Sequence, residues 1–286
     1  MRIHIVGNVF RQDALKAVQI TAKWIKKQGI EVAVDSETGR HLSLPVVTFA
    51  EFARADLVVA FGGDGTLIRA AHLCSEVGTP ILGVYYGRFG FVTQCTSNNV
   101  LPCIEKFIAK EIDIESRMML EAKLIRGGQV VGEIHALNEV VLQRDVTARM
   151  MVFQVSVDGC ELTRYPADGV LVSTPTGSTG YNLSAGGPIM DPTVQAIVLT
   201  AIAPHTLSSR ALVLRPESSV NLMVGSRGDS VLSADAQIRL HILSGDEVSI
   251  RRSPRVTNLV SVQKDDFLSK IGQRVFWTQD LIEDTI

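Results

Sequence analysis

Two different periodicities divide this chain, and the break between them restricts the fold more than any other feature. Up to about residue 98, short apolar runs alternate with stretches of helical spacing. Ile3–Val6, Glu31–Val34, Leu57–Phe61 and Pro80–Tyr85 read as strands. Asp13–Lys27 sets Leu15, Val18, Ala22 and Ile25 on one stripe, with Lys26 and Lys27 in its last turn and Gly29 as a stop. Thr66–Glu76 reads as another helix. Strands alternating with helices predict a parallel sheet covered by helices. After about residue 114 the runs become strand-like: Met119–Ile125, Val130–Leu142, Met151–Val157, Ser219–Val224 and Glu247–Arg251. Turn pairs such as Gly127-Gly128, Asp158-Gly159 and Gly245-Asp246 separate them, which predicts an antiparallel sandwich. Pro192–Ala203 is the exception, with apolar spacing that suits a buried helix. No low-complexity linker marks the boundary. The expected division is an α/β domain over residues 1–98 and an all-β, sandwich-like domain over 99–258. A C-terminal segment, 259–286, is expected to pack back on the first domain through Phe267–Ile271 and Trp277.

The chain has 286 residues, 46% of them hydrophobic, enough for a substantial core and too many for a disordered chain. Its net charge of −2 shows no basic excess of the kind that binds nucleic acid or an anionic membrane, so neither partner is expected. A phosphate would have to be held by local groups. Cys74, Cys95, Cys103 and Cys160 form no C-x-x-C pair and no zinc-like cluster with histidine, as befits small apolar residues in a reducing compartment. Met1–Gly7 reads as a first strand rather than a leader, and no apolar run approaches the ~20 residues that cross a bilayer. The expected location is the cytoplasm.

Against this background two polar islands stand out, each following an apolar run. The shorter, Gly62-Gly63-Asp64-Gly65-Thr66, leaves one strand and opens one helix. Glycines there let backbone N–H groups face a phosphate, and the helix N-terminus adds partial positive charge. Thr66 is the expected N-cap. Asp64 would repel a phosphate directly, so it suits a metal-linked group or the acceptor of a proton from an attacking hydroxyl. No G-x-x-x-x-G-K-[ST] loop occurs. The longer island, Ser173–Pro188, is too rich in hydroxyl, amide and glycine groups to read as core. Thr176, Ser178, Thr179, Asn182 and Ser184 offer neutral donors and acceptors, and Tyr181 could stack on a base. Asp168-Gly169 precedes the strand that leads into it. Asn138-Glu139 interrupts another apolar strand, where its amide and carboxylate could bind ribose hydroxyls or could simply be solvated. His205, in Pro204–Arg210, could donate to a phosphate or ribose.

Taken in order, these residues resemble the NAD kinase family. Its pattern of G-G-D-G-T, N-E, D-G and a long T-P-T-G-S-T-x-Y-x-L-S-A-G-G-P-I segment is met by Gly62–Thr66, Asn138-Glu139, Asp168-Gly169 and Thr174–Ile189. Pro204–Arg210 and Asp235-Ala236-Gln237 match later elements, and the resemblance spans about residues 1–275. Departures include Pro166, where many members carry arginine, and Gly180 in place of a frequent alanine. The resemblance implies an N-terminal α/β nucleotide-binding domain and phosphorylation of the 2′-hydroxyl of NAD's adenosine ribose to give NADP. The donor would be ATP or inorganic polyphosphate, with a divalent metal, Mg²⁺, held mainly by the donor phosphates. Asp64 would be the proton acceptor, on a donor loop of Gly62, Gly63, Gly65 and Thr66. NAD would be held by Asp64, Gly65, Asn138, Glu139, Arg149, Asp168, Thr176, Ser178, Thr179, Gly180, Tyr181, Asn182, Ser184, His205 and Gln237. Family members are typically homodimers or homotetramers. Lipid kinases carry a similar first loop, but no basic amphipathic surface helix is evident for docking to a membrane. A non-catalytic NAD(H) sensor would use the same pocket without turnover.

Overall fold

The computed structural model describes residues 1–86, 90–92, 95–145, 150–206, 209–224, 230–262 and 266–275. The chain separates into two compact units, the first made of Met1–Ala70, Thr79–Glu115 and the residues from Asn258 onward, the second of Ala71–Gly78 and Ser116–Thr257.

The first unit opens with β1 (Arg2–Gly7), α1 (Gln12–Lys27) and β2 (Glu31–Val34). Two single-turn helices follow, α2 (Ser36–Gly39) and α3 (Phe49–Phe52). Then come β3 (Leu57–Gly62), α4 (Asp64–Cys74), β4 (Ile81–Tyr85) and α5 (Val100–Ile108). The strands pair in parallel in the order β2-β1-β3-β4. β3 is buried along its whole length, as a central strand covered on both faces must be. The α1 stripe of Leu15, Val18, Ala22 and Ile25 buries itself with Ile3, Ile5, Val59 and Phe61 in one core. Val100, Cys103 and Ile104 of α5 join that core. At ~25 cal/mol per Å² of apolar surface removed from water, it is this burial that stabilises short helices which would not persist alone.

The second unit contains β5 (Asp113–Arg126), β6 (Gln129–Ala136), β7 (Glu139–Arg144), β8 (Met151–Val157), β9 (Cys160–Ala167) and β10 (Gly169–Ser173). A 3₁₀ turn, Thr176–Thr179, and α6 (Tyr181–Ser184) lie between β10 and β11 (Ile197–Ile202). The rest are β12 (Leu212–Leu214), β13 (Val220–Val224), β14 (Ser230–Ala234), β15 (Ile238–Ile242) and β16 (Glu247–Ser261). One sheet is six-stranded and antiparallel, β12-β11-β10-β7-β14-β15. The other runs β16-β13-β8-β9, with the β5–β6 hairpin joined to β16. Inward residues of both sheets, among them Val220, Leu222, Val248, Phe153, Leu142, Val170 and Leu232, interdigitate in one core, as a sandwich requires. β16 then continues into the first unit, where Leu259 pairs in parallel with Ile81 of β4, and α7 (Asp266–Val275) follows.

Two expectations are corrected. Pro192–Ala203 holds no helix, because its apolar stretch is strand β11, paired on both sides and buried from Ile197 through Ala201. A strand covered on both faces loses the alternation that would have marked it. Val130–Leu142 is two strands, broken at Leu137-Asn138 where the chain passes from one sheet to the other. Trp277 lies outside the described residues.

Candidate functional site

In the first unit, a single residue, Gly63, separates β3 from α4. Its carbonyl accepts the N–H groups of Thr66 (3.0 Å) and Leu67 (3.2 Å). Thr66 is therefore inside the first helical turn and is not the cap expected of it; the helix begins two residues earlier because Gly63 closes the first turn. Gly63, Gly65 and Thr66 line a pocket of about 240 Å³ together with Asn8, Val9, Phe10, Glu37 and Arg69. Arg69 donates to the carbonyl of Gly7 at 3.0 Å and pairs with Glu37, and burial pulls its pKa down against the neighbouring Asp35. Asn8, Phe10 and Arg69 carried no sequence signal, since only folding brings β1's exit and the middle of α4 beside the glycines.

Asp64 is held by the chain downstream. Its carboxylate accepts the N–H of Phe91 at 2.8 Å and of Val92 at 3.3 Å. Gly90 makes this approach possible, because a Cβ there would fall inside the carboxylate.

The long polar segment is buried in the second unit, not laid over a surface. Ser173, Thr174, Thr176, Ser178 and Asn182 are all buried. The expectation that such residues cannot be core fails because most of them find hydrogen-bond partners in one another and in the surrounding backbone, Thr176 Oγ1 excepted. Thr174 donates its hydroxyl to the carbonyl of Leu137 (2.6 Å) and its N–H to that of Asn138 (2.8 Å). Ser178 Oγ accepts the N–H of Met190 at 2.9 Å, and Thr179 Oγ1 donates to the carbonyl of Thr176 at 3.4 Å. Asn182 donates to the carbonyls of Ser178 and Pro188 and accepts from Thr200. Gly177 sits so close to Asn138 that any Cβ would enter that residue's backbone.

The same loop meets the Asn138-Glu139 turn. A Cβ placed on Gly180 would lie 3.2 Å from Glu139 Oε2 and 3.7 Å from Asn138 Nδ2, so the three residues are neighbours. Glu139 is buried rather than solvated. Burial pushes its carboxyl up to about 8, Asp235 adds to the rise, and the Tyr181 amide opposes it. Asn138 Oδ1, Glu139 Oε2 and Thr176 Oγ1 are buried with no hydrogen-bond partner. Three orphaned polar atoms at one junction are costly unless something else satisfies them. Glu139 also borders a cavity of about 180 Å³ lined by Gln143, Arg144, Tyr181, Ser233, Ala236 and Arg239 among others.

The remaining candidates are more open. Tyr181 is 40% exposed. Ser184, His205 and Gln237 are exposed too, and the His205 amide donates to the carbonyl of Pro166 at 2.8 Å. Asp168 stands between β9 and β10, where Arg144 donates to its carboxylate at 2.7 Å. Arg144 thus approaches Asp168 from the neighbouring strand of the six-stranded sheet. Arg149 lies outside the described residues. Among those described, one histidine–carboxylate group has metal-like spacing, Glu121 with Glu133 and His135. Lys123 stands 3.5 Å from Glu121 and 3.4 Å from Glu133, and Arg251 donates to Glu121 at 2.7 Å, so cations already compensate it.

Comparison with known proteins places the fold. Residues 3–112 match the domain described as the ATP-NAD kinase N-terminal domain, and residues 137–262 match the ATP-NAD kinase C-terminal domain. An NAD kinase of Citrifermentans bemidjiense is 38% identical over 285 residues, covering 96% of this chain and 98% of the relative. One from Desulforamulus reducens is 36% identical over 277 residues, with 96% of each covered. Yeast NADH kinase, solved in complex with NADH, superposes with a TM-score of 0.90 at 25% identity over 98% of this chain and 88% of that one. An NAD kinase from Archaeoglobus fulgidus, solved in complex with ATP, shares the fold, with a TM-score of 0.77 at 24% identity over 96% of this chain and 99% of that one.

Proposed function

The chain belongs to the ATP-NAD kinase family, and from that premise we propose which of its residues do the work. It is an enzyme, a phosphotransferase that converts NAD to NADP by phosphorylating the 2′-hydroxyl of the adenosine ribose. In this reading the β-rich region from about residue 99 to 258 binds NAD, and residues 1–98 bind the phosphoryl donor. The observation that carries it is the set of orphaned atoms: Asn138 Oδ1, Glu139 Oε2 and Thr176 Oγ1 lack partners inside the protein and suit the hydroxyls of a ribose. With its carboxyl pushed up to about 8, Glu139 is mostly protonated at neutral pH and donates a hydrogen bond instead of only accepting. Tyr181 and Ser184 complete the pocket wall, while Ser178 and Asn182 serve it by holding the loop's shape. Asp168, Arg149, His205 and Gln237 supply further nucleotide contacts.

At the donor end, Gly63, Gly65 and Thr66 line the pocket that takes the phosphates of ATP or polyphosphate at the helix N-terminus, and Arg69 offers a cation. The acceptor hydroxyl gives up its proton to Asp64, whose orientation Phe91 and Val92 hold for that task. Positioning and charge neutralisation supply most of the acceleration in such a transfer. Asp64 is a hard carboxylate between Gly63 and Gly65, two of the residues that line the pocket. Such a group suits a divalent ion bound mainly through donor phosphates and water, which would neutralise their charge. Mg²⁺ is the natural choice. We place the enzyme in the cytoplasm as a homodimer or homotetramer, in keeping with its four free cysteines and the family's habit.

The test is NADP formation from NAD, ATP and Mg²⁺, read through an NADP-specific dehydrogenase, with Asp64→Asn beside the wild type. Loss of general-base function should lower kcat at least about 100-fold in the variant. Near-normal turnover by Asp64→Asn would remove Asp64 from the role.

A further inference from the structure

Asp235 and His72 are 163 residues apart in sequence, and nothing above gives either a part in the reaction. Both fall within the second unit. The Asp235 side chain has no exposed surface, and its carboxylate gathers four donors. Oδ2 accepts the N–H of Leu137 at 2.8 Å, and Oδ1 accepts those of Asn138 (2.8 Å) and Glu139 (3.0 Å). His72 completes the set from 2.8 Å; since a carboxylate only accepts, its Nε2 carries the proton. The Asp235 backbone returns the grip, its own N–H donating to the carbonyl of Glu139 at 3.0 Å. Asp235 and Ala236, in the turn between β14 and β15, both adopt left-handed backbone, at φ +51° and +56°. Two consecutive non-glycine residues in that region are strained, and such strain persists only where the surroundings over-determine it.

Three consecutive amides captured by one buried carboxylate fix the peptide planes of the turn that carries Asn138 and Glu139. That turn presents the orphaned Asn138 Oδ1 and Glu139 Oε2. We propose that Asp235, steadied by His72, is the positioning residue that sets the Asn138-Glu139 turn in its NAD-binding geometry. The inference rests on the assignment of that turn to NAD. Neither residue touches the nucleotide; Asp235 acts through the turn and His72 through Asp235. An isolated buried carboxylate would be heavily penalised, and the His72 donor offsets part of that cost.

The test uses the full chain, with initial rates measured while NAD and ATP are varied separately, and NAD binding measured by calorimetry. Asp235→Asn replaces an acceptor with an amide that faces backbone donors, so KM and Kd for NAD should rise at least about tenfold. KM for ATP should change less than about twofold. His72→Ala should raise KM for NAD about three- to tenfold, and His72→Gln, which keeps a donor toward Asp235, should restore it to within about twofold. Should Asp235→Asn fail to fold, the His72 pair decides. NAD parameters unchanged in folded variants, parallel rises in both KM values, or a glutamine no better than alanine would each overturn the proposal. Wild-type protein that does not bind NAD would instead sink the assignment of the turn. Wild-type protein that binds NAD without turnover leaves the Kd comparison to decide.

Discussion

Glu139 carries the chemistry of this protein's environment more openly than any other residue. Its carboxyl is raised from 4.5 to about 8, first by burial and then by Asp235. The folded state therefore binds this proton more tightly than the unfolded chain. The group's contribution to stability is intact below about pH 4.5 and is lost as the pH rises to about 8. Glu139→Gln removes the titration. The melting temperature of the variant relative to wild type should rise by at least about 3 °C between pH 5.5 and pH 8.5. A constant gap across that range would show that Glu139 ionises normally. None of this could be read in the chain, where the pattern around Asn138-Glu139 by itself favoured a solvated strand over a ligand site. The deciding facts, burial and the approach of Asp235, come from residues nearly a hundred positions away. Asp64 was legible as a candidate carboxylate because a charge among glycines is unusual. Its tether to Phe91 and Val92 was not.

At the level of elements, the segment between β10 and β11 shows why composition singled out a stretch but misjudged its burial. Hydroxyls, amides and glycines after an apolar strand suggested a ligand-lining segment that was not core. Folded, they form a hydrogen-bonded plug in which Asn182 alone ties Ser178, Pro188 and Thr200 together. Asn182→Ala leaves two carbonyls and a hydroxyl without their partner, at a cost of about 3 kcal/mol. Urea denaturation should show that loss, and NAD affinity should fall with it. A variant as stable as wild type would mean that water replaces the amide and that the plug is looser than its hydrogen bonds imply. β11 is the complementary case. Its residues Ile197–Ala201 are buried and paired on both sides, so no alternating face remained to distinguish a strand from a helix. Where one face of an element meets solvent, as with the polar side of α1, the period survived and the element was legible.

For the whole molecule, the change of period near residue 114 anticipated the two kinds of architecture, because parallel and antiparallel sheets impose different apolar patterns. The return of a C-terminal segment to the first domain was expected; what no local pattern revealed is that the end of β16 supplies the first unit's last strand. Ligand binding offers a test at this scale. NAD at about 100 times its Kd should stabilise the native state by about 2.7 kcal/mol and raise the melting temperature by about 5 °C or more. NMN, which lacks the adenosine ribose, should do far less; equal shifts from both would argue against an adenosine-centred pocket. The discontinuity also orders events during synthesis. A ribosome that has finished β4 has not yet made the strand that lies against it, and the entire sandwich must be translated first. At about 5–20 residues per second, the edge of the first sheet stays unpaired for on the order of ten seconds. During that interval the nascent chain offers β4 to any passing strand, so slowing translation within the sandwich should increase misassembly of the half that is already made.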